Sequence, residues 1–85
     1  MSTVTVLGAD WCADCVRSKR LLDRLGVPYS WVDLVAEPDR VEDVMRLNDG
    51  LPAIPVILFQ DGSHLTEPSD NALADHLASR GLVPA

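Results

Sequence analysis

Trp11-Cys12-Ala13-Asp14-Cys15 holds both cysteines of the chain, between an apolar run, Val4-Thr5-Val6-Leu7, and a helical pattern carrying Leu21, Leu22 and Leu25. Strand, short loop, Cys-x-x-Cys and helix is the context in which this spacing reads as a thiol redox site. Cys12 is expected at the helix N-terminus, where unpaired backbone N–H groups and the positive end of the dipole favour an anion. The thiolate is the nucleophile in disulfide exchange, so this position suits an attacking cysteine. Cys15, one turn along, is placed to resolve a disulfide formed at Cys12. Blander readings fit less well. A structural disulfide would close a very small loop. Half a zinc site would need more ligands, and His64 and His76 are the only histidines. Two inert core cysteines would account for Cys15 but not for Cys12 beside the loop.

At 85 residues the whole chain, 1–85, is expected to form one domain, near the size at which a single core barely suffices. Hydrophobic residues make up 47% and charged residues 24%, which argues for a globular fold over disorder. A net charge of −6 leaves no basic face for nucleic acid. No apolar run approaches the ~18 residues of a membrane span. Met1-Ser2-Thr3-Val4 has neither the basic region nor the apolar core of a signal peptide, so the expected location is the cytoplasm. In that compartment a cysteine pair is more often catalytic or metal-binding than a staple.

Taken in order, Val4 to Leu7 reads as a buried strand, and Gly8-Ala9-Asp10 as the loop delivering Cys12 to a helix over about 12–25. Gly26 suits the left-handed position past its end, and Pro28 stops continuation. Cys15, Ser18, Leu22 and Leu25 share one face with Leu21, which makes Cys15 the more buried thiol. Tyr29 to Leu34 reads as a second strand. A helix opened by Glu37-Pro38-Asp39 would carry Val41, Val44, Met45 and Asn48 in a stripe and end at Asn48-Asp49-Gly50. Val56 to Phe59 is a third strand, Gln60-Asp61-Gly62-Ser63 a turn, and His64-Leu65-Thr66 a returning fourth. Ser69 caps a last helix with Asp70 in its first turn, and Leu73 and Leu77 facing inward. His76 beside them is expected to be a partly buried structural histidine. The order β-α-β-α-β-β-α implies an α/β fold, a four-stranded mixed sheet with helices on both faces.

Ile54-Pro55, directly before the third strand, is on its own an ordinary X-Pro bond at a strand start. Together with the order of elements and the Cys-x-x-Cys, it makes nearly the whole chain resemble the thioredoxin superfamily, in its glutaredoxin branch. That resemblance implies a minimal thioredoxin fold with a cis-proline at Pro55 beside the cysteines. It also implies that the backbone of Ile54 pairs with an extended substrate. Val16-Arg17-Ser18-Lys19 is similar to the basic first turns of glutaredoxins. Arg17 and Lys19 are either solvated charges, the simpler reading for Lys19, or a source of positive potential at the thiolate. Trp11 resembles the Trp-Cys opening of thioredoxins and mycoredoxins, either as a packing residue or as a flat apolar platform for substrate.

The chain departs from the glutathione-using glutaredoxins. Those usually have Cys-Pro-Tyr-Cys, a lysine three residues before the first cysteine and a Gly-Gly pair before the last helix. Here Ala13 and Asp14 separate the cysteines, Ala9 stands at the lysine position, and Glu67-Pro68-Ser69-Asp70 precedes the helix. Loss of a cation beside Asp10, Asp14 and Glu67 makes a poor cradle for the carboxylates of glutathione. Mycoredoxins are a closer match, through Trp-Cys-x-x-Cys and the run from Asp61 to Ser69. Their thiol, mycothiol, carries sugar hydroxyls and no carboxylate. The resemblance thus implies a cytoplasmic thiol–disulfide oxidoreductase acting on mixed disulfides of proteins with a low-molecular-weight thiol, mycothiol or alternatively glutathione. Cys12 would be the nucleophile and Cys15 the resolving residue; Trp11, Ala13, Asp14, Ile54, Pro55, Ser69 and Asp70 would bind substrate. No bound cofactor or metal is expected. Partners would be disulfide-bearing proteins, the thiol and a disulfide reductase system, with neither nucleic acid nor membrane, and the chain acting as a monomer. Two alternatives are a dithiol electron donor to a reductase such as ribonucleotide reductase, and a metal-cluster carrier using Cys12 across a dimer. The motifs usual for these, Cys-x-Gln-Cys and Cys-Gly-Phe-Ser, are both missing.

Overall fold

In the computed structural model, described for residues 3–83, the apolar runs form strands and the longer periodic stretches form helices. In chain order these are β1 (Val4–Gly8), α1 (Ala13–Arg24), β2 (Ser30–Asp33), α2 (Val41–Leu47), β3 (Val56–Phe59), β4 (His64–Thr66) and α3 (Asp70–Ser79). One 3-10 turn, Pro38–Arg40, leads into α2. The strands make a single sheet in the order β2-β1-β3-β4. β1 runs parallel to β2, because the α1 crossover returns the chain in the same direction, and antiparallel to β3. β3 and β4 form an antiparallel hairpin, reversed through Gly62 at φ +89°.

Side chains alternate across a strand, so each strand feeds two layers. Val4 and Val6 of β1 meet Ile57 and Phe59 of β3 on one face, covered by Leu21 and Leu22 of α1 and by Leu73 and Leu77 of α3. Leu7 and Val56 point the other way, to Val32 of β2, Leu34 just after it and Val44 of α2. The mixed sheet with helices on both faces is therefore as the element order implies.

The helix ends explain two departures from the sequence reading. After α1, Gly26 takes φ +71°, the Gly26 amide bonds the Asp23 carbonyl at 3.1 Å, and the Val27 amide bonds the Leu22 carbonyl at 2.9 Å. This pair of bonds is the Schellman stop, which turns the chain back so that Val27 packs inward near Leu22. Leu25, expected on the buried face, lies past the last helical residue and is exposed. In α2 the buried face centres on Val44, with Val41 and Leu47 at its flanks. Met45, one residue or about 100° further round, faces solvent.

α3 opens as expected, with Ser69 Oγ accepting the Ala72 amide at 3.1 Å. Its other end is tied to the hairpin. Asp61 accepts both the amide (2.9 Å) and the hydroxyl (2.6 Å) of Ser63, and Arg80 donates to Asp61 at 2.9 Å. His76 lies 3.0 Å from Ser63 Oγ and packs its ring on Phe59, 4.3 Å between centroids. Burial and the nearby Arg80 charge hold the His76 pKa below its ordinary value, with Asp61 opposing. His76 is thus the partly buried structural histidine that the sequence favours.

Candidate active site

Cys12 is the N-cap of α1, with extended backbone (φ −85°, ψ 115°), and its Sγ accepts the Cys15 amide at 3.2 Å. A sulfur in this position receives an N–H that the helix itself cannot satisfy, an arrangement that favours negative charge. Cys12 is partly accessible and Cys15 is fully buried, and both are free thiols. Burial above all, then the hydrogen bond with Cys12, pushes the Cys15 thiol up to about 12. One sulfur is thus accessible from solvent, and the other is enclosed by the protein.

Cys15 occupies a seat made by Gly8. A Cβ on Gly8 would collide with Cys15 Sγ and come within 3.2 Å of the Trp31 ring. Gly8 ends β1 in register with Asp33, one residue longer than the strand expected from the apolar run. Sequence reasoning placed Gly8 in a loop, so its role against the second thiol went unread. The one signal for it in the sequence is a glycine at the end of an apolar strand, four residues before Cys12, where backbone and side chain can approach closely.

The remaining residues expected at the site form a chain of contacts around the cysteines. Asp14 pairs with Arg17 at 3.0 Å, and Arg17 reaches across to the Pro68 carbonyl at 3.1 Å and to Asp70 at 3.5 Å. The next link is the Glu67 amide, which bonds the Pro55 carbonyl at 2.9 Å. The Ile54-Pro55 bond is cis. Ile54 then shares a cavity with Ala9 and Trp11, which closes the ring beside Cys12. Ala13 is exposed between the cysteines, and Ser69 is exposed at the start of α3. Ile54 uses neither its amide nor its carbonyl in a backbone hydrogen bond among the described residues. Trp11 is 76% exposed, which removes the packing reading and leaves a flat apolar surface next to Cys12.

Both cations of the first turns are engaged by carboxylates. Lys19 lies 3.7 Å from Asp10 and 3.8 Å above the Trp31 ring, so it is not the freely solvated charge that its position in the sequence suggests. Arg17 is shared between Asp14 and Asp70. The acids flanking Cys12 are therefore largely compensated locally, and neither cation is free to hold a carboxylate of a ligand. Ala9, at the place where a lysine would stand in glutathione-binding relatives, is 2% exposed and accepts the Cys12 amide at 3.1 Å.

Asn48, in the sequence a member of the helix stripe and part of the helix stop, has a further role in the structure. Its amide donates to the Ala53 carbonyl at 3.0 Å, and its carbonyl oxygen accepts from the Thr66 hydroxyl. It thereby ties the segment before Ile54 to β4. An Asn at a helix end was the one available signal, and its partners lie on other elements.

Comparison with known proteins agrees with this geometry. The glutaredoxin family model matches residues 3–65. Mycoredoxin 1 of Corynebacterium glutamicum is 35% identical over 68 residues, spanning 80% of this chain and 84% of that protein. In fold, the chain is similar to a glutaredoxin of Archaeoglobus fulgidus, with a TM-score of 0.75 at 22% identity over 88% of this chain and 85% of that one. It is also similar in fold to the NrdH-redoxin of Escherichia coli, with a TM-score of 0.72 at 17% identity over 85% and 91% of the two chains. Sequence, fold and the Cys12–Cys15 pair agree that the chain belongs to the glutaredoxin family and is a thiol–disulfide oxidoreductase.

Proposed function

We propose that the chain reduces mixed disulfides between proteins and a low-molecular-weight thiol without carboxylates, of the mycothiol type. The observation that carries this is the engagement of both nearby cations, Arg17 and Lys19, by the chain's own aspartates, with buried Ala9 where a third cation would stand. Carboxylates brought to such a site would be desolvated without a free counter-charge, whereas hydroxyls need only polar partners. The likeness to mycoredoxin 1 supports the same reading.

Cys12 thiolate attacks the sulfur of the small thiol in the mixed disulfide. A Cys12–thiol disulfide forms, the protein–thiol bond breaks, and the protein cysteine leaves as thiolate and takes a proton from solvent. A second small thiol, as thiolate, attacks the adduct, regenerates Cys12 and leaves as the symmetric disulfide. A disulfide reductase system returns that disulfide to thiol. Ile54 and Pro55 orient the protein backbone, and Trp11 and Ala13 contact the substrate. Asp14, Ser69 and Asp70 line the side of the small thiol. When a protein disulfide is the substrate, Cys15 resolves the Cys12 adduct. Once Cys12 is in a disulfide, its hydrogen bond and charge no longer raise the Cys15 pKa; burial and the Asp14 charge still raise it, and the Ala9 backbone opposes them. We assign residues 1–85 to one domain working as a monomer in the cytoplasm; no helix is long and apolar enough to cross a membrane among the described residues.

Two serine variants assayed side by side test the reading. Cys12→Ser should abolish all exchange. Cys15→Ser should keep turnover of mycothiol mixed disulfides and lose reduction of ordinary protein disulfides. Loss of both activities in Cys15→Ser would favour a dithiol donor to a reductase. Equal turnover with glutathione and mycothiol would overturn the choice of thiol.

A further inference from the structure

We propose that the Ser18 hydroxyl donates a hydrogen bond to Cys15 Sγ when that sulfur becomes a thiolate, and so supports the step in which Cys15 displaces whatever is bound at Cys12. This rests on the reading that Cys15 resolves adducts at Cys12. Among the described residues, Ser18 is the only polar or charged one that is buried, with no exposed surface. Its Oγ has no hydrogen-bond partner among them. A hydroxyl out of water and without a partner is destabilising, and alanine would favour the helix more. The unused donor points to a form of the protein in which it is used. Ser18 follows Cys15 by three residues on the buried face of α1, about 4.5 Å along the axis and about 60° round. Helix side chains lean towards the N-terminus, so that of Ser18 leans over the turn carrying Cys15. Cβ atoms so spaced are about 5–6 Å apart. Oγ and Sγ, each one bond beyond, come within reach by rotation about χ1.

The second step of exchange is the one short of donors. Cys15 must give up its proton before it attacks, and burial, Cys12 and Asp14 all oppose that. The Ala9 backbone is the one influence that favours the thiolate. β1 presents Gly8 to the sulfur, with the uncharged Trp31 ring of β2 beside it. Lys19, over that ring, is paired with Asp10, and Arg17 with Asp14 and with Asp70 of α3. A hydroxyl on the same helix face adds a donor without adding a charge, and a hydrogen bond to an anion is among the stronger ones. In the step itself, Cys15 thiolate attacks Cys12 Sγ, the adduct bond breaks and a Cys12–Cys15 disulfide forms. The departing sulfur leaves with the electron pair and takes up a proton, which balances the one Cys15 gave to solvent. Cys15 is oxidised and the departing sulfur reduced, while Ser18 keeps its proton throughout.

Two readouts test this. In the Cys12→Ser protein, the NMR signal of an isotope-labelled Cys15 Cβ is followed against pH. Adding Ser18→Ala should lower the acid constant of Cys15 by about tenfold, while Ser18→Thr, which keeps the hydroxyl, should lower it less. Equal drops in the two variants, or none in Ser18→Ala, would overturn the proposal. Urea unfolding should find reduced Ser18→Ala no less stable than the unaltered protein. A clear loss of stability would mean that the hydroxyl is already bonded elsewhere, and would also overturn it. The second readout is kinetic. Equimolar dipyridyl disulfide releases thiopyridone twice, first as Cys12 attacks and then, independently of concentration, as Cys15 expels the bound half. Ser18→Ala should slow the second release about threefold relative to the first at pH 7. The effect is smaller than the loss of thiolate because a more basic thiolate attacks faster. An unchanged ratio of the two phases would overturn the proposal. If the acid constant falls as expected while Cys15→Ser still reduces protein disulfides, the resolving role fails and the Ser18–Cys15 bond stands.

Discussion

Gly8 carries a demand that no other residue type meets. Its missing side chain is the space in which Cys15 Sγ sits, so Gly8→Ala forces strand and helix apart. Overpacking of this kind costs about 1–3 kcal/mol, to be read from urea unfolding of the reduced protein. Removing the colliding sulfur should recover part of the loss. In a double-mutant cycle, Gly8→Ala and Cys15→Ala should couple by about 0.5–3 kcal/mol, and strict additivity would show that the two do not meet. The cysteines were legible in the sequence because spacing and context carry their chemistry. The contacts of Gly8, Arg17 and Asn48 were not, because they join different elements, as Arg17 does with Pro68 and Asn48 with Thr66.

Among the elements, α3 shows how one histidine couples a helix to a turn. His76 in the folded protein has its pKa lowered from 6.5 by burial and by Arg80. The unfolded chain therefore binds the proton more readily, and stability rises with pH between the two values. The contribution is fully present above about 6.5 and is lost as pH falls through 6.5 towards the lower folded value. Thermal melts of the unaltered protein should thus fall more between pH 7.5 and 5 than those of His76→Gln, which does not titrate. Parallel decline of the two would remove His76 from the account. Asp61, whose pKa the Ser63 bonds and Arg80 hold low, adds its own loss only below the ordinary carboxylate value of 3.8. Element order and type were legible throughout, from apolar period and turn residues. Element ends were less so: Leu25 falls at the C-cap, past the last helical residue, and in the short α2 a small error of phase misplaced Met45.

For the whole molecule, the net charge of −6 sets how anionic reactants approach. With Arg17 and Lys19 beside carboxylates, the first turns of α1 lend little net side-chain charge against the general repulsion. The reaction of Cys12 with glutathione disulfide, which carries four carboxylates and two ammonium groups, should accelerate as salt screens the repulsion. The rate with neutral hydroxyethyl disulfide should stay nearly flat over the same range. A glutathione disulfide rate that falls with salt would reveal an active cation beside Cys12. The sign of the charge was plain from composition, but the pairing of each cation with a carboxylate needed the fold.

The two layers of the molecule are unequal. One face of the sheet is covered by the twelve residues of α1 and the ten of α3, the other by the seven of α2. Cooperative opening follows the amount of apolar contact that must be broken, so the thin layer should have the lower free energy of local unfolding. Native-state hydrogen exchange should show amides of α2 exchanging through a sub-global opening, well before those of α1 and α3 exchange by global unfolding. Uniform protection across the three helices would contradict this. Val41 and Val44, on that same layer, line the cavity beside Trp11. One wall of that cavity is thus built on the part of the molecule that yields first, and any molecule held there would slow its exchange.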